Sequence, residues 1–399
     1  MESLFKKHDR LVAVTSTEII RQWANSINWD ARLMAIRGPK GVGKKTMMLQ
    51  YIKLNYKLLD RQVLYVSCED KYFSNHSLLS LAEQFYLNGG RHLFLDEVHK
   101  YDDWSTEIKE IYDFYPTMRV VLSGSSLLSM TEGDADLARR CINHDIQGLS
   151  FREFLHFYKG IKMPVYPLEQ VLENPAPLIE EMNKHGRPIA LLKEYLKYGY
   201  YPYYLNNETD YHIAIQQVVN KIIDIELPRI CGVDLNNTRK IKSLLTILCA
   251  SVPFQVDITK LATQSGLKRD TIINYLSYLD KAKLIRLLYS DLKNIKRMQK
   301  PDKIYIDNTN LLNAWATAPI QIGTIRETFV ANQLSVNHLV EFRKTNGDFL
   351  VDSKYTFEVG GDDKDFQQIA NVADSFILAD DMETAIGKKL PIWVVGFDY

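Results

Sequence analysis

The sequence predicts an α/β protein whose first half is a parallel sheet with helices on both faces. Strand-like and helix-like apolar patterns alternate over residues 1–150, which favours parallel strand pairing. A glycine-rich stretch joins the first strand to a helix, and the strand signal disappears between 151 and 250. The predicted strands are Leu33–Arg37, Val63–Ser67, His92–Leu95, Val120–Leu122 and Ile142–Leu149, and the predicted helices are residues 1–30, Thr46–Leu54, Leu78–Tyr86 and Trp104–Phe114.

Composition sets the protein class. The 399 residues are 46% hydrophobic and 25% charged, as in ordinary globular proteins, and they allow two or three domains on length alone. The formal net charge is zero, so any attraction to nucleic acid must be local. The four cysteines are scattered without metal-ligand spacing, no apolar run reaches membrane-spanning length, and residues 1–10 lack the apolar core of a signal peptide. These features predict a cytoplasmic protein without a membrane partner.

The glycine-rich stretch has the G-x-x-x-x-G-K pattern of a phosphate-binding loop. It consists of Gly38, Pro39, Lys40, Gly41, Val42, Gly43, Lys44, Lys45 and Thr46. Glycines let successive backbone N–H groups turn toward a phosphate, and the helix that follows presents its positive end to the same anion. Lys44 is predicted to reach the β- and γ-phosphates of a nucleotide, whose base the loop does not select.

Lys45 departs from this pattern. The residue after the loop lysine ordinarily carries a hydroxyl that holds Mg²⁺, and here it is an ammonium group. Thr46 does not replace it directly, because one residue along a helix turns the side chain by about 100°. The sequence therefore leaves two hypotheses open: an ATPase that uses Mg²⁺, or a nucleotide-binding pseudo-ATPase that acts as a scaffold or regulator.

Acidic residues follow the third predicted strand. Asp96 is predicted to bind the metal and Glu97 to polarise an attacking water. After the next strand comes the segment 123–126, in which Ser125 is a candidate sensor of the γ-phosphate, although a plain Ser/Gly turn is an equal alternative. Arg139 and Arg140 are candidates to contact the developing charge, within the chain or in a neighbouring subunit, and the alternative is a solvated surface.

Six segments in order resemble a bacterial and archaeal group of AAA-type ATPases. They are Gly38–Thr46, Phe94–Lys100, Ser123–Ser126, Leu137–Arg140, Leu149–Phe154 and Gly199–Pro202. The resemblance runs nearly end to end, and members of this group join such a module to a C-terminal domain of unknown function. It implies ATP binding and hydrolysis without naming a substrate. AAA-type modules often form rings, so a homo-oligomer is an open expectation.

Residues 151–250 are predicted to be a helical lid, as in AAA-type ATPases. Within this segment, Gly199–Pro202 is an aromatic turn that is interpreted as a packed hinge in preference to a ligand site. Residues 251–310 have the order of a winged helix: helix, glycine turn, helix and two β-like segments. Candidate DNA contacts at the start of its second helix are Lys268, Arg269, Thr271 and Asn274. A basic loop at 293–303 would suit phosphate contacts, although winged helices also dock proteins.

Residues 311–399 resemble a restriction-endonuclease-like α/β core. Glu327 lies on a predicted helix, Asp348 and Glu358 precede or lie on strands, and two such carboxylates can bind a catalytic metal. The lysine expected two residues after the glutamate is missing, and Lys364 with Gln368 is a candidate substitute on a predicted helix at 362–373. A non-cleaving domain is favoured, and a nucleotide-gated nuclease is the alternative. The overall hypothesis is an ATP-binding protein that couples its nucleotide state to a DNA- or protein-binding C-terminal half.

Overall fold

The computed structural model describes residues 1–125, 137–203, 210–250, 254–255, 257–290 and 300–399. Its contacts divide the chain into two compact units, Met1–Gln147 and Gly148–Tyr399. Ser126 and residues 293–299 of the predicted basic loop 293–303 lie outside the described residues. In the parts of the chain that are described, no helix is both long enough and apolar enough to cross a bilayer.

The first unit contains a five-stranded sheet in which all neighbouring strands are parallel, as predicted. Its strands are β1 (Leu33–Gly38), β2 (Val63–Ser67), β3 (His92–Asp96), β4 (Arg119–Ser125) and β5 (Ile142–Asp145), in the order β2-β3-β4-β1-β5. Because all strands run the same way, their carboxyl ends lie along one edge. The glycine-rich loop begins at that edge, where β1 ends, and Asp96 lies at the same edge as the last residue of β3.

The described residues of this unit form five helices. They are α1 (Glu2–Val14), α2 (Trp23–Ser26), α3 (Lys44–Asn55), α4 (Leu78–Leu87) and α5 (Trp104–Phe114), with 3₁₀ turns at Lys71–Ser74 and Val98–Lys100. The prediction of helix throughout 1–30 is wrong, because α1 stops at Val14. Hydroxyl groups bond locally there: Thr15 Oγ1 donates to the Leu11 carbonyl at 2.8 Å, and Ser16 Oγ accepts from the Glu18 N–H at 3.2 Å. Such local bonds compete with helix continuation.

The second unit begins with helices. Those before its strands are Phe151–Lys159, Leu168–Glu173, Ala176–Asn183, Pro188–Tyr198, Tyr211–Lys221, a π-helical segment Ile222–Glu226, Leu227–Cys231 and Thr238–Ala250, with a 3₁₀ turn at Leu235–Asn237. The first has a capping box, in which Ser150 Oγ accepts from the Glu153 N–H and the Glu153 carboxylate accepts from the Ser150 N–H. Gly160 ends that helix in the left-handed conformation.

A three-stranded antiparallel sheet follows, in the order β6-β8-β7. Its strands are β6 (Phe254–Gln255), β7 (Ile285–Leu288) and β8 (Lys303–Ile306). Two helices, Ile258–Ser265 and Arg269–Lys281, lie between β6 and β7 in the chain, and Gly266 turns between them at a φ of 65°. Helix, turn, helix and a paired β7–β8 hairpin thus occur in the predicted order.

The chain ends in a mixed five-stranded sheet of order β13-β12-β11-β10-β9. The strands are β9 (Val340–Phe342), β10 (Phe349–Val351), β11 (Tyr355–Gly360), β12 (Ser375–Ala379) and β13 (Lys389–Pro391), and the remaining helices are Thr309–Trp315, Ile322–Leu334 and the 3₁₀ segment Ile392–Phe397. The first three strands pair antiparallel, and β12 and β13 run parallel to β11.

The predicted helix at 362–373 is wrong. All of these residues are described, and they form turns. The Asp365 carboxylate accepts from the Gln367 N–H at 3.0 Å, a local bond that favours a turn over a helix. Ile369 is the fully buried apolar residue of this segment, and one such contact gives little reason to pack a helix.

Candidate functional site

The loop after β1 needs its glycines. Gly38 has a φ of +158°, and a Cβ atom there would lie 2.3 Å from the Ile146 carbonyl oxygen. Gly41 and Gly43 have φ values of 90° and 96°, in the left-handed region that other residues rarely adopt. Gly43 is also the N-cap of α3, so the loop leads directly into the positive end of that helix.

Lys44 extends into this loop. Its side-chain nitrogen donates to the carbonyl oxygens of Gly38 at 2.7 Å and Pro39 at 2.9 Å, and the residue is only 6% exposed. Both of these acceptors are neutral backbone carbonyl groups. A phosphate fits this chemistry, because it would meet backbone N–H groups, a helix N-terminus and a buried cation together.

Two arginines that the sequence pattern does not identify hold the loop in place. Arg21 Nη1 donates to the Val42 carbonyl at 2.9 Å and to the Gln147 carbonyl at 2.7 Å. Arg37, the residue before Gly38, forms a bidentate pair with Asp145 at 2.9 and 3.0 Å. Neither residue belongs to a local motif, so only the tertiary structure reveals its contact with the loop.

Asp96 ends β3 and is 5% exposed. The Tyr65 hydroxyl on β2 donates to Asp96 Oδ2 at 2.5 Å, and the Ser123 hydroxyl on β4 donates to Oδ1. Burial, together with the charge of Asp96, raises the pKa of Tyr65 far above its usual range, so the phenol stays protonated. Asp96 is therefore fixed by one neutral hydroxyl from each flanking strand.

Glu97 follows Asp96 with a φ of 54°. Its N–H donates to Ser123 Oγ at 3.2 Å, and its carboxylate lies 3.5 Å from His99 Nε2. A non-glycine residue at positive φ costs free energy and persists where surrounding contacts hold it. The turn directs the Glu97 side chain away from the strand path, and that side chain is 22% exposed to solvent.

The predicted role of Ser125 as a γ-phosphate sensor stays a prediction. Ser123, and not the predicted Ser125, contacts Asp96 and Glu97. Ser125 lies opposite Gly38 in the β1–β4 pairing, at the start of the glycine loop. Ser123 and Ser125 are two residues apart on β4 and so face the same side of the sheet. Ser123 is level with Asp96, because Leu122 pairs with Leu95, whereas Ser125 lies further along the strand.

Arg139 and Arg140 lie at the opposite edge of the sheet from the glycine loop, where the strands begin. Both precede β5, which runs parallel to β1, so they lie near the amino ends of the strands. Arg140 pairs with Asp113 near the end of α5 at 3.3 Å, and Arg139 is exposed. About five residues of strand, near 16 Å, separate this edge from the loop. The predicted phosphate contact within the same unit is therefore wrong, because the side chains are too far away. A contact with a neighbouring subunit stays a prediction.

The predicted Mg²⁺ site fits less well than the phosphate site. Lys45 is exposed in the first turn of α3, and its ammonium nitrogen lies 5.8 Å from the centroid of the Tyr65 ring. Thr46 is also exposed. An ammonium cannot donate an oxygen ligand to a hard cation and repels it by charge. Around the loop, Asp96 is thus the predicted ligand that has the right chemistry.

The candidate DNA-contact residues begin the helix Arg269–Lys281. Lys268 is its N-cap, and Lys268, Arg269 and Asn274 are exposed, whereas Thr271 is half-buried. Asp270 is exposed between them, so the local charge is mixed. The side chains are available to a partner, and nothing in their contacts selects nucleic acid over protein.

The predicted acidic residues of the last domain do come together. Lys303 Nζ lies 2.5 Å from Glu327 Oε2, and Lys364 Nζ lies 2.5 Å from Glu358 Oε1. Asp348 accepts from the Val359 N–H at 2.8 Å. Burial raises the pKa of Asp348 to about 7, and the charges of Glu327 and Glu358 add to this effect.

Gln368 completes this group, which we call the carboxylate cluster: Lys303, Glu327, Asp348, Glu358, Lys364 and Gln368. With its amide nitrogen facing Glu358, Gln368 donates to both carboxylate oxygens at 2.5 and 3.1 Å. Lys364 and Gln368 thus reach Glu358 from turns, although the predicted helix is absent there. Among the residues that the structure describes, no group of three or more His, Cys, Asp or Glu is suited to hold a metal ion.

The aromatic turn is packed into the second unit. Tyr200 and Tyr201 are 1% and 4% exposed. The Tyr200 N–H donates to Asn310 Oδ1 at 2.8 Å, and the Tyr201 N–H donates to the Tyr211 hydroxyl at 3.1 Å. These contacts favour the packed-turn interpretation over a ligand site.

The loop, Lys44 and the Asp96–Glu97 strand end all fall within residues 30–155, which match the family model described as AAA domain. This part of the chain is similar to AAA domains. Residues 189–320 match a family model described as a domain of unknown function. Over 375 residues the chain is 25% identical to an uncharacterized protein of Methanocaldococcus jannaschii, covering 91% of this chain and 77% of that one.

Solved structures resemble the chain weakly. The S. cerevisiae Hsp104–ADP complex has a TM-score of 0.26 at 15% identity, over 71% of this chain and 41% of that one. C. elegans PCH-2 has a TM-score of 0.24 at 15% identity, over 40% and 44% of the two chains. S. cerevisiae RIF2 has a TM-score of 0.30 at 14% identity, over 55% and 94%. TM-scores this low do not establish a shared overall fold.

Proposed function

We propose that the AAA domain binds ATP in the loop Gly38–Thr46 and that its nucleotide state controls a partner held by the second unit. The buried Lys44 ammonium, which donates to the Gly38 and Pro39 carbonyls inside the glycine loop, carries this proposal. A buried cation in a glycine loop at a helix N-terminus is suited to a multiply charged phosphate. The partner is DNA or a protein.

Hydrolysis of ATP is the expected activity. Glu97 is the general base of the proposal, because it follows Asp96 at the loop edge and its carboxylate is partly solvent-exposed. Arg139 or Arg140 would approach the phosphates of a neighbouring copy, since both lie at the far edge of their own sheet. This role requires a homo-oligomer.

ATP titration and turnover of the full chain test the proposal. Wild type should bind ATP, Lys44→Ala should lose binding, and Glu97→Gln should keep binding while losing turnover by roughly 100-fold or more. Loss of turnover without loss of binding would separate the base from the phosphate ligands. Unchanged turnover in Glu97→Gln would remove Glu97 from the reaction.

A pseudo-ATPase is the second candidate, and Lys45 favours it. In that case the domain binds nucleotide as a signal and does not turn it over. Mg²⁺-dependent turnover of wild type and Lys45→Thr decides between the two. Turnover only in Lys45→Thr supports the pseudo-ATPase, and equal, substantial turnover in both rejects it.

For the C-terminal sheet, we propose a nuclease-like core that does not cleave. The carboxylate cluster supports this idea, because Glu327 and Glu358 each have a lysine partner at 2.5 Å. Incubation of a DNA panel with Mg²⁺ or Mn²⁺ is expected to yield no cleavage. Cleavage by wild type that is lost in Glu358→Ala would establish a nuclease instead.

DNA binding by the predicted winged helix is tested separately. If DNA is the partner, binding should weaken as salt rises, and Lys268→Ala and Arg269→Ala should each weaken it. Asn274→Ala should change sequence preference more than the salt dependence. Binding that ignores salt and all three changes would point to a protein partner.

A further inference from the structure

Two lysines follow each other at the start of α3 and reach different surroundings. Lys44 extends into the glycine loop and donates to the Gly38 and Pro39 carbonyls. Lys45 extends over the ring of Tyr65 on β2, with 5.8 Å between its nitrogen and the ring centroid. The loop edge therefore has two cations, one inside the loop and one beside β2.

Tyr65 links Lys45 to Asp96. The phenol ring faces the Lys45 ammonium, and the phenol hydroxyl donates to Asp96 Oδ2 at 2.5 Å. The second oxygen of Asp96 accepts from the Ser123 hydroxyl. A cation near an aromatic face is stabilised by the electron-rich ring, so Lys45 has a favourable position on the Asp96 side of the loop.

The same arrangement disfavours a divalent ion. Mg²⁺ demands six oxygen ligands in octahedral geometry and keeps them close. Position 45 offers no oxygen, and both oxygens of Asp96 already accept a hydroxyl from the protein. A resident ammonium also repels a second cation at short range.

We propose that this domain binds a nucleoside triphosphate without requiring a divalent cation, with Lys45 supplying the charge that Mg²⁺ ordinarily brings to the phosphates. This inference rests on the proposed nucleotide binding at the loop. Lys44 and Lys45 together neutralise two phosphate charges. The Tyr65 and Ser123 hydroxyl groups fix the orientation of the Asp96 carboxylate by hydrogen bonds.

The test compares ATP affinity of the full chain in Mg²⁺ and in EDTA. The dissociation constants of wild type in Mg²⁺ and in EDTA should agree within about threefold, which corresponds to about 0.65 kcal/mol. Lys45→Thr restores a hydroxyl and removes the charge, so its affinity should fall at least about tenfold in EDTA and recover in Mg²⁺. Lys45→Arg keeps the charge and should behave like wild type. Lys57→Thr removes an exposed lysine just after α3 and serves as the matched control.

Each outcome is decisive. A wild-type affinity that falls tenfold or more in EDTA overturns the inference while leaving ATP binding intact. Equal EDTA affinity in wild type and Lys45→Thr overturns it as well, because Lys45 then contributes nothing. Absence of ATP binding by folded wild type under both conditions rejects the proposed function itself. Thermal unfolding of each variant confirms that the comparison is made on folded protein.

Discussion

The lysine in the phosphate loop and the lysines in the carboxylate cluster contact different kinds of acceptor. Lys44 donates to neutral backbone carbonyls, at 2.7 and 2.9 Å. Lys303 and Lys364 lie 2.5 Å from the carboxylates of Glu327 and Glu358. A lysine paired with a carboxylate has its charge neutralised within the protein.

This difference separates two sites that look alike in sequence. Both combine acidic residues at strand ends with nearby lysines, as enzymes of phosphate chemistry do. The first places a buried lysine in a glycine loop at a helix N-terminus, which suits phosphate binding. In the second, internal ion pairs neutralise two of the three acids, which suits stabilisation of the fold.

The largest expected effect is on the loop. Gly38→Ala would place Cβ 2.3 Å from the Ile146 carbonyl, so it should destabilise the protein by on the order of 3 kcal/mol and remove ATP binding. Denaturant unfolding and ATP titration measure the two effects. Gly323→Ala is the control, since its Cβ meets nothing within 4 Å and the residue lies in a helix of the second unit. Wild-type stability in Gly38→Ala would contradict the close approach.

The carboxylate cluster should respond as an internal ion pair. Lys303→Met leaves Glu327 buried without its cation and should lower the unfolding free energy by about 3 kcal/mol. Replacing both partners, as in Lys303→Met with Glu327→Leu, should recover most of that loss. Denaturant unfolding of both variants checks this pair, and ATP affinity should stay unchanged in each. Additive losses in the double variant would mean that the two side chains do not act as a pair.

Asp348 gives the cluster a pH dependence. Its folded pKa of about 7 lies above its ordinary value of 3.8, so the protonated form is favoured by folding. This stability is fully present below pH 3.8 and is lost as the pH rises through 7. Asp348→Asn should therefore stabilise the protein at pH 8 by on the order of 2 kcal/mol, after allowance for solvent screening, and little at pH 4. An equal effect at both pH values would refute a raised pKa.

A smaller effect is expected at His338. Its Nδ1 lies 2.6 Å from Asp352 Oδ2 and its Nε2 lies 3.2 Å from Asp398 Oδ2. The bond to Asp398 is the largest cause that raises the pKa of His338 to about 9, above its ordinary 6.5. The stability from this contact is complete below pH 6.5 and is lost as the pH rises through 9. His338→Gln should flatten the stability profile in that window by roughly 1 kcal/mol, and an unchanged profile would exclude this contact.

Local patterns predicted most of the first unit. The strand Val63–Ser67 and the helix Trp104–Phe114 have the predicted bounds, because their apolar periodicity is strong and turn residues flank them. The phosphate loop was identifiable because its glycines, lysine and flanking elements are contiguous in sequence.

Contacts between distant segments could not be predicted in this way. Tyr65 and Ser123 reach Asp96 from β2 and β4, and Arg21 reaches the loop from a segment without regular structure. Their identities carry no local signal, since tyrosine, serine and arginine are common in such positions. Lys303 likewise reaches Glu327 only because β8 lies beside the helix Ile322–Leu334. The side chains that decide the charge balance at both sites are thus the ones a sequence motif omits.

Titration of the full chain with ATP tests the central claim most directly, by comparing wild type with Lys44→Ala and Lys57→Ala. Lys44 is the buried loop cation and Lys57 an exposed lysine beyond the same helix. The account predicts that Lys44→Ala weakens ATP binding by roughly 100-fold, about 2.7 kcal/mol, while Lys57→Ala binds like wild type. Equal affinity of folded wild type and Lys44→Ala would contradict a nucleotide site at this loop.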